Sequence, residues 1–121
     1  MKRHKNRERE HRIDNEILVD AYDEEERAMS WYYHAENEMQ FPFPARCILI
    51  EESSPLRKTE EVEVIGLPSE EKCRQQLCVR IRWQGRTLAV PLAQLKPIKA
   101  DRNTKQLIED WHYWTRMGYP F

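Results

Sequence analysis

Apolar and polar residues alternate most regularly between Leu77 and Ile98. From Val79 to Trp83, three apolar residues occupy one side of a period-2 pattern and two arginines the other, which predicts a half-buried strand. Gly85 lies in a short turn, and the run from Thr87 to Val90 leads back, so a β-hairpin is predicted. A single turn and a short closing strand at Lys96–Ile98 complete the stretch.

Two more strands are predicted upstream, over Arg46–Ile50 and Glu61–Ile65. A tight hairpin, a single turn and a closing strand are how a small SH3-like barrel ends. We therefore expect an SH3-like β-barrel of about five strands over residues 45–98, an argument by fold analogy that implies no function. The predicted barrel core includes Val79, Ile81, Trp83 and Val90.

Helical spacing appears on both sides of this region. Apolar positions every three or four residues predict a first helix over Ile13–Tyr22. Asp23 followed by Glu26 resembles a capping box and opens a second helix, so residues 13–40 form a helical hairpin. A third helix is predicted over residues 101–117, with Asp101 as its N-cap. The expected fold class is α+β, with residues 1–121 in one domain.

The net charge of −1 hides two segments of opposite sign. Residues 1–12 carry six Lys/Arg against two glutamates and are polar on every face, which is typical of either a frayed helix start or a disordered arm. Residues 13–40 carry nine carboxylates against Arg27 alone, a local charge of −8. The predicted helical hairpin is therefore strongly acidic.

Several classes of protein are disfavoured. The sequence has no apolar run near the roughly 20 residues of a membrane span and no signal-peptide pattern, so a cytoplasmic protein without membrane contact is expected. A zinc site built on Cys73, Cys78 and Cys47 has weak spacing, and reduced, packed thiols are favoured. A glycine-rich phosphate loop and a nucleophile elbow are both missing, which argues against an enzyme. The aromatic runs Trp31–His34 and Trp111–Trp114 are interpreted as helix core rather than as a base-stacking platform.

Two groups of carboxylates remain as candidates for metal chemistry. One is the acidic run from Asp20 to Glu26, and the other is the trio at positions 36–38. Carboxylates at a helix C-terminus face the negative end of the helix dipole and the last free carbonyl oxygens, which is unfavourable unless a cation sits there. Oxygen-rich groups of this kind suit Ca²⁺, although no EF-hand loop occurs in the sequence.

Four blocks in order make the chain resemble a known family. They are the run from Glu16 to Cys47, then EVEVIG, then RWQGRTLAVPLAQL, then IEDWHYW with the following Gly118 and Phe121. Residues 16–121 thereby resemble the cyanobacterial calcium-binding proteins of the CcbP type. The resemblance implies a small, acidic, non-EF-hand Ca²⁺ binder of the cytoplasm, a buffer or sensor rather than an enzyme. In that family a second carboxylate tends to follow the position of Glu36, where this chain has Asn37, so a weaker affinity is expected.

We predict that the calcium ion is bound at the end of the second helix by side chains and free carbonyl oxygens, with further carboxylates from the other acidic segment. A protein partner for the bound state is left open. The predicted metal ligands are Glu36, Asn37 and Glu38, followed by Asp20 and Asp23.

The alternative function is an interaction module. The basic arm Lys2–Arg12 and the strand face with Arg80 and Arg82 would then bind nucleic acid or an acidic protein partner. The acidic residues at 13–40 disfavour nucleic acid, because they would repel a polyanion that approaches the adjacent arm.

Overall fold

The computed structural model of the chain describes residues 5–119 and residue 121. Its helices and strands confirm the α+β fold class. No helix in the described part is long and apolar enough to cross a membrane. The helices are α1 (Arg7–Arg12), α2 (Glu24–Glu38) and α3 (Arg102–Arg116), and the strands are β1 (Phe43–Cys47), β2 (Glu61–Gly66), β3 (Cys78–Trp83), β4 (Arg86–Pro91) and β5 (Leu95–Pro97).

The five strands form one antiparallel sheet in the order β4-β3-β2-β1-β5. The last strand returns to pair with the first, but the sheet stays open, so the predicted closure into an SH3-like barrel is not confirmed. A physical reason lies in β5, which is three residues long and contains Pro97. Proline has no N–H to offer to a further strand, so β5 is poorly suited to close a barrel.

The hairpin of β3 and β4 is confirmed. Val79 pairs with Val90, and both are fully buried. Gln84 and Gly85 both have positive φ, at 50° and 75°. This is the pattern of a type I′ turn, whose twist matches that of the strands it joins.

The first strand lies earlier in the chain than predicted, at Phe43–Cys47 rather than Arg46–Ile50. Its buried residues are Phe43, Ala45 and Cys47, which alternate with exposed Pro44 and Arg46. The apolar run at 48–50 is exposed instead. A continuous apolar run suggested burial on both faces, whereas the strand is buried on one face only.

The first helix, Arg7–Arg12, falls within the predicted basic arm, so this part of the arm is helical rather than disordered. Residues 1–4 of the arm lie outside the described part. Asn6 caps the helix by accepting a hydrogen bond from the backbone N–H of Arg9 at 2.9 Å. A π-helical turn at Ile13–Ile17 follows, and the chain turns at Asp20 with a φ of 59°. The predicted helix over residues 13–22 is therefore wrong at both ends. Its apolar residues follow directly on the polar helix α1, and the helical segment ends before the turn at Asp20.

Helix α2 is held against α3 by tryptophans. Trp31 is fully buried, and its ring centroid lies 5.0 Å from that of Trp111, edge to face, and 6.0 Å from that of Trp114. Such aromatic pairs add about 0.5–1.5 kcal/mol beyond the area that they bury. Most of both aromatic runs is therefore buried in the core, as predicted, but Tyr33 is 48% exposed.

Trp83 differs from its predicted role. Val79, Ile81 and Val90 are fully buried, but Trp83 is only partly so. Its Nε1 donates a hydrogen bond of 2.7 Å to Oε2 of Glu60, at the edge of the core. This hydrogen bond ties the indole to Glu60, a residue that is itself only partly buried.

We predict that Trp31→Ala lowers the free energy of unfolding by about 3–5 kcal/mol, the usual cost of emptying a buried aromatic site. Trp83→Ala should cost less, because this ring is partly exposed. Val19→Ala, at a residue that is 58% exposed, serves as the control and should change stability by less than about 0.5 kcal/mol. Urea unfolding of the three variants measures this order, and equal losses for the two tryptophans would contradict it.

Candidate metal site

Four carboxylates share a cleft of about 400 Å³ at the start of α2, and we call them the N-terminal acidic cluster. Met29, Ser30 and Tyr33 complete the lining, and no lysine or arginine belongs to it. Its negative charge is thus not neutralised within the cleft. The cluster consists of Asp20, Asp23, Glu25 and Glu26.

Local backbone geometry positions two members of this cluster. Asp20 stands at the left-handed turn before α2, and its Oδ1 accepts a hydrogen bond from the Tyr22 hydroxyl at 3.1 Å. Asp23 is the N-cap, and its Oδ1 accepts from the backbone N–H of Glu26 at 2.8 Å. In each residue the other carboxylate oxygen is left to bind a ligand. The hydrogen bond to Asp20 and the charges of Asp20 and Glu26 raise the pKa of Tyr22, as a negative field would.

The predicted trio at the end of α2 is divided. Residues two apart on a helix point in nearly opposite directions, so Glu36 and Glu38 diverge. Glu36 is exposed, and its charge adds to that of Glu70 in raising the pKa of Tyr33. Glu38 is half-buried and faces α3. Asn37 is exposed between them.

The cleft that Glu38 lines has a volume of about 150 Å³. It brings together oxygen-bearing side chains that the sequence alone did not single out, because most come from α3, far along the chain. Their spacing on α3, at i, i+3 and i+7, is the signal that could have indicated a shared face. With Arg12 and His34, the polar lining comprises Glu16, Glu38, Asn103, Gln106 and Asp110.

Asp110 in this cleft already has cationic partners. It is 1% exposed, and its Oδ1 lies 2.8 Å from Nη1 of Arg9 and 2.5 Å from Nη2 of Arg12. A buried carboxylate needs such partners, since an unpaired buried charge is costly. Asp110 therefore holds α1 against α3 and is a poor candidate for a metal ligand.

Free backbone oxygens occur at the end of α2. The N–H of Met39 still bonds to the Ala35 carbonyl at 2.9 Å. The N–H of Gln40, which would bond to the Glu36 carbonyl if the helix continued, instead donates to Oγ1 of Thr104 at 2.8 Å. The last turn contains no basic residue. The Glu36 carbonyl is thereby released at the negative end of the helix dipole.

The two acidic groups lie too far apart to bind one ion. Helix α2 has 15 residues, and at 1.5 Å per residue this is about 22 Å, compared with Ca²⁺–oxygen distances of about 2.3–2.6 Å. Within residues 5–119 and 121, no three Asp, Glu, His or Cys side chains are grouped closely enough to hold a metal ion as they stand. The five predicted ligands therefore divide between the two ends of α2, and side chains must move, or carbonyl oxygens and water must contribute, to complete a coordination shell.

The cysteines do not gather around a common centre. Cys78 donates its backbone N–H to the sulfur of Cys73 at 3.3 Å, whereas Cys47 contacts Gln94.

The basic surfaces that the alternative function requires are partly neutralised by carboxylates. Arg82 lies 3.3 Å from Glu63, and Arg9, of the basic arm, is bound to Asp110.

Comparisons with known proteins agree on one family. Residues 11–115 match the sequence pattern of the CcbP family, which is described as calcium binding. The crystal structure of CcbP from Anabaena is similar, with a TM-score of 0.85 and 34% identity, over 98% of this chain and 97% of that one. A calcium-binding protein in its calcium-binding form has a TM-score of 0.83 and 35% identity, over 97% and 96% of the two chains. A comparison with curated protein sequences gives no match.

His34, in the cleft with Glu38, makes the stability of the protein depend on pH. Burial lowers its pKa below 6.5, and the carboxylates of Glu38, Asp110 and Glu16 only partly oppose this shift. The unfolded state therefore binds the proton more readily than the folded state does. The contribution of neutral His34 to the free energy of unfolding is present above pH 6.5 and is lost as the pH falls below it.

We predict that unfolding free energy decreases less between about pH 7.5 and pH 5 in His34→Gln than in the parent chain, because glutamine does not titrate. Urea unfolding across this range measures the slope. At about pH 8, where the histidine is neutral in both states, the difference between the two proteins reports packing alone and is the control. Identical slopes would contradict the prediction.

Proposed function

Because the chain belongs to the CcbP family of calcium-binding proteins, we propose that it is a non-catalytic Ca²⁺ binder, acting as a buffer or sensor of the cytoplasm. Its ligand is Ca²⁺. Sequence motifs of the EF-hand type are lacking, so the ion is bound by another arrangement of oxygen atoms.

One observation carries the assignment of the site to α2. None of the carboxylates at its two ends forms an ion pair with any residue of the described chain. Carboxylate, amide and carbonyl oxygens are the ligands that Ca²⁺ takes, six to eight at a time. The donor atoms at both ends therefore suit this ion.

The charges indicate which end binds more tightly. The start of α2 carries four clustered carboxylates, opposed by a helix dipole worth roughly half an elementary positive charge. The last turn carries Glu36 and Glu38, to which the dipole adds roughly half a negative charge. Even with the opposing dipole, the start of the helix is the more negative end, and we assign the tighter site to it.

At the start of α2, we propose that the free carboxylate oxygens of Asp20 and Asp23 bind the ion, with Glu25 and Glu26 beside them. All four line the same cleft. Asp23 would continue to cap the helix through Oδ1 while its second oxygen contacts Ca²⁺. Binding there requires no unwinding of α2.

At the end of α2, we propose a weaker site formed by Glu36, Asn37 and Glu38 with the released Glu36 carbonyl. Because the two carboxylates diverge, an ion there takes one of them directly unless the last turn rearranges. Such a rearrangement is what a sensor would transmit to a partner, whereas a buffer needs none.

We predict that Asp20→Asn/Asp23→Asn abolishes the tighter of two binding events in calorimetric titration of chelator-treated protein with Ca²⁺. Asparagine keeps the N-cap at position 23 and tolerates the left-handed conformation at position 20, so the fold is retained. Glu36→Gln/Glu38→Gln should remove only the weaker event. Mg²⁺ should bind less well, because it demands octahedral geometry and dehydrates reluctantly.

The matched control is Glu51→Gln/Glu52→Gln, which removes the same charge from the loop between β1 and β2. It should leave both events in place. Absence of heat in the parent protein would refute the function. Unchanged titrations in both test variants would refute only the assignment of ligands.

A further inference from the structure

A large cleft in the described chain is basic and shares no lining residue with the two acidic clefts beside α2. Its volume is about 1020 Å³, and it is formed where the start of α1 meets β5 and α3. Among the described residues of its lining, Glu8 and Glu109 are the only carboxylates, and these residues have a net charge of +4 with His112 neutral. The cations are Lys5, Arg7, Arg9, Lys96, Lys105 and Arg116.

Most of this positive charge is unpaired. Arg9 is bound to Asp110 and lies 4.0 Å from Glu109. The other five cations form no ion pair with a described residue. Like charges that converge from three elements repel one another, and an anion in the cleft would relieve that repulsion.

Uncharged groups complete the lining of the cleft. His112 of α3 is one of them, and its Nε2 is shielded from solvent. Pro97 and Ile98 of the β5 segment, with Ile98 44% exposed, give the cleft an apolar wall.

The size of the cleft favours a small ligand over a macromolecule. Small-molecule pockets have volumes of about 300–1,000 Å³, near that of this cleft. Along α3, Lys105 and Arg116 are about 16 Å apart, the span of a molecule with several charged groups. A long polyanion is further disfavoured by the local charge of −8 that residues 13–40 carry. Pro97 also opposes addition of a peptide strand to β5.

We propose that this cleft binds a small organic molecule with two or more phosphate groups. The phosphates lie among the unpaired cations, and the organic part packs against Pro97 and Ile98. Free nucleotides and the head groups of phosphorylated lipids share this chemistry. The proposal is independent of the calcium site.

The test is titration of the chelator-treated full chain, at low ionic strength, with adenosine triphosphate, inositol trisphosphate and adenosine. Both phosphorylated compounds should bind, or one of them should bind more tightly. Tighter binding of adenosine triphosphate identifies a free nucleotide as the ligand, and tighter binding of inositol trisphosphate identifies a lipid head group. Adenosine should not bind. Lys96→Gln/Lys105→Gln/Arg116→Gln should weaken binding at least about tenfold, because charge-assisted hydrogen bonds to phosphate are lost. Added salt should weaken it further.

The control variant, Lys58→Gln/Lys72→Gln/Arg74→Gln, removes the same charge from exposed positions outside the cleft. It should bind like the parent. Equal weakening in both variants, binding of a single-stranded oligonucleotide alone, or no binding of either phosphorylated compound would overturn the proposal. Circular dichroism of each variant confirms that a loss of binding is not a loss of folding.

Discussion

The packing of Trp31 against Trp111 and Trp114 determines where every acidic residue of α2 can lie. This contact holds α2, a helix of 15 residues, on α3, with Trp31 in the core and the two ends of α2 at the surface. A rigid helix keeps its ends about 22 Å apart. The two acidic groups named from the sequence therefore stay separate, whereas the prediction joined them around one ion.

A second contact separates the opposite charges of the chain. Arg9 and Arg12 bind the buried carboxylate of Asp110, and Glu10 accepts hydrogen bonds from Tyr113 and Tyr119 at 2.5 and 2.8 Å. These bonds hold α1 on α3 rather than on α2. Among the described residues, the basic and acidic segments, adjacent in sequence, therefore form no ion pair with each other. One molecule carries both an acidic helix and a basic cleft.

Local patterns allowed correct prediction where neighbouring residues decide the structure. The hairpin around Gly85 and the caps at Asp23 and Asp101 are of this kind, since turn and cap chemistry acts over three or four residues. The hydrogen bond from Trp83 to Glu60 joins residues that are distant in sequence, and it could not be inferred.

In the candidate site, too, the features set by neighbouring residues were predicted, and those set by distant residues were not. The acidic segments were evident from composition, but the divergence of Glu36 and Glu38 follows from the actual end of α2. The cationic partners of Asp110 come from α1, across the whole chain, and no local pattern announces them. The open sheet likewise depends on how β5 pairs with β1.

The location of the bound ion is tested most directly by ¹H–¹⁵N correlation spectra of the chelator-treated chain during addition of Ca²⁺. We expect amide shifts concentrated at residues 20–26, which saturate first, and then at residues 36–40. Shifts confined to the strands or to the basic cleft, with both ends of α2 unchanged, would contradict the assignment of calcium binding to this helix.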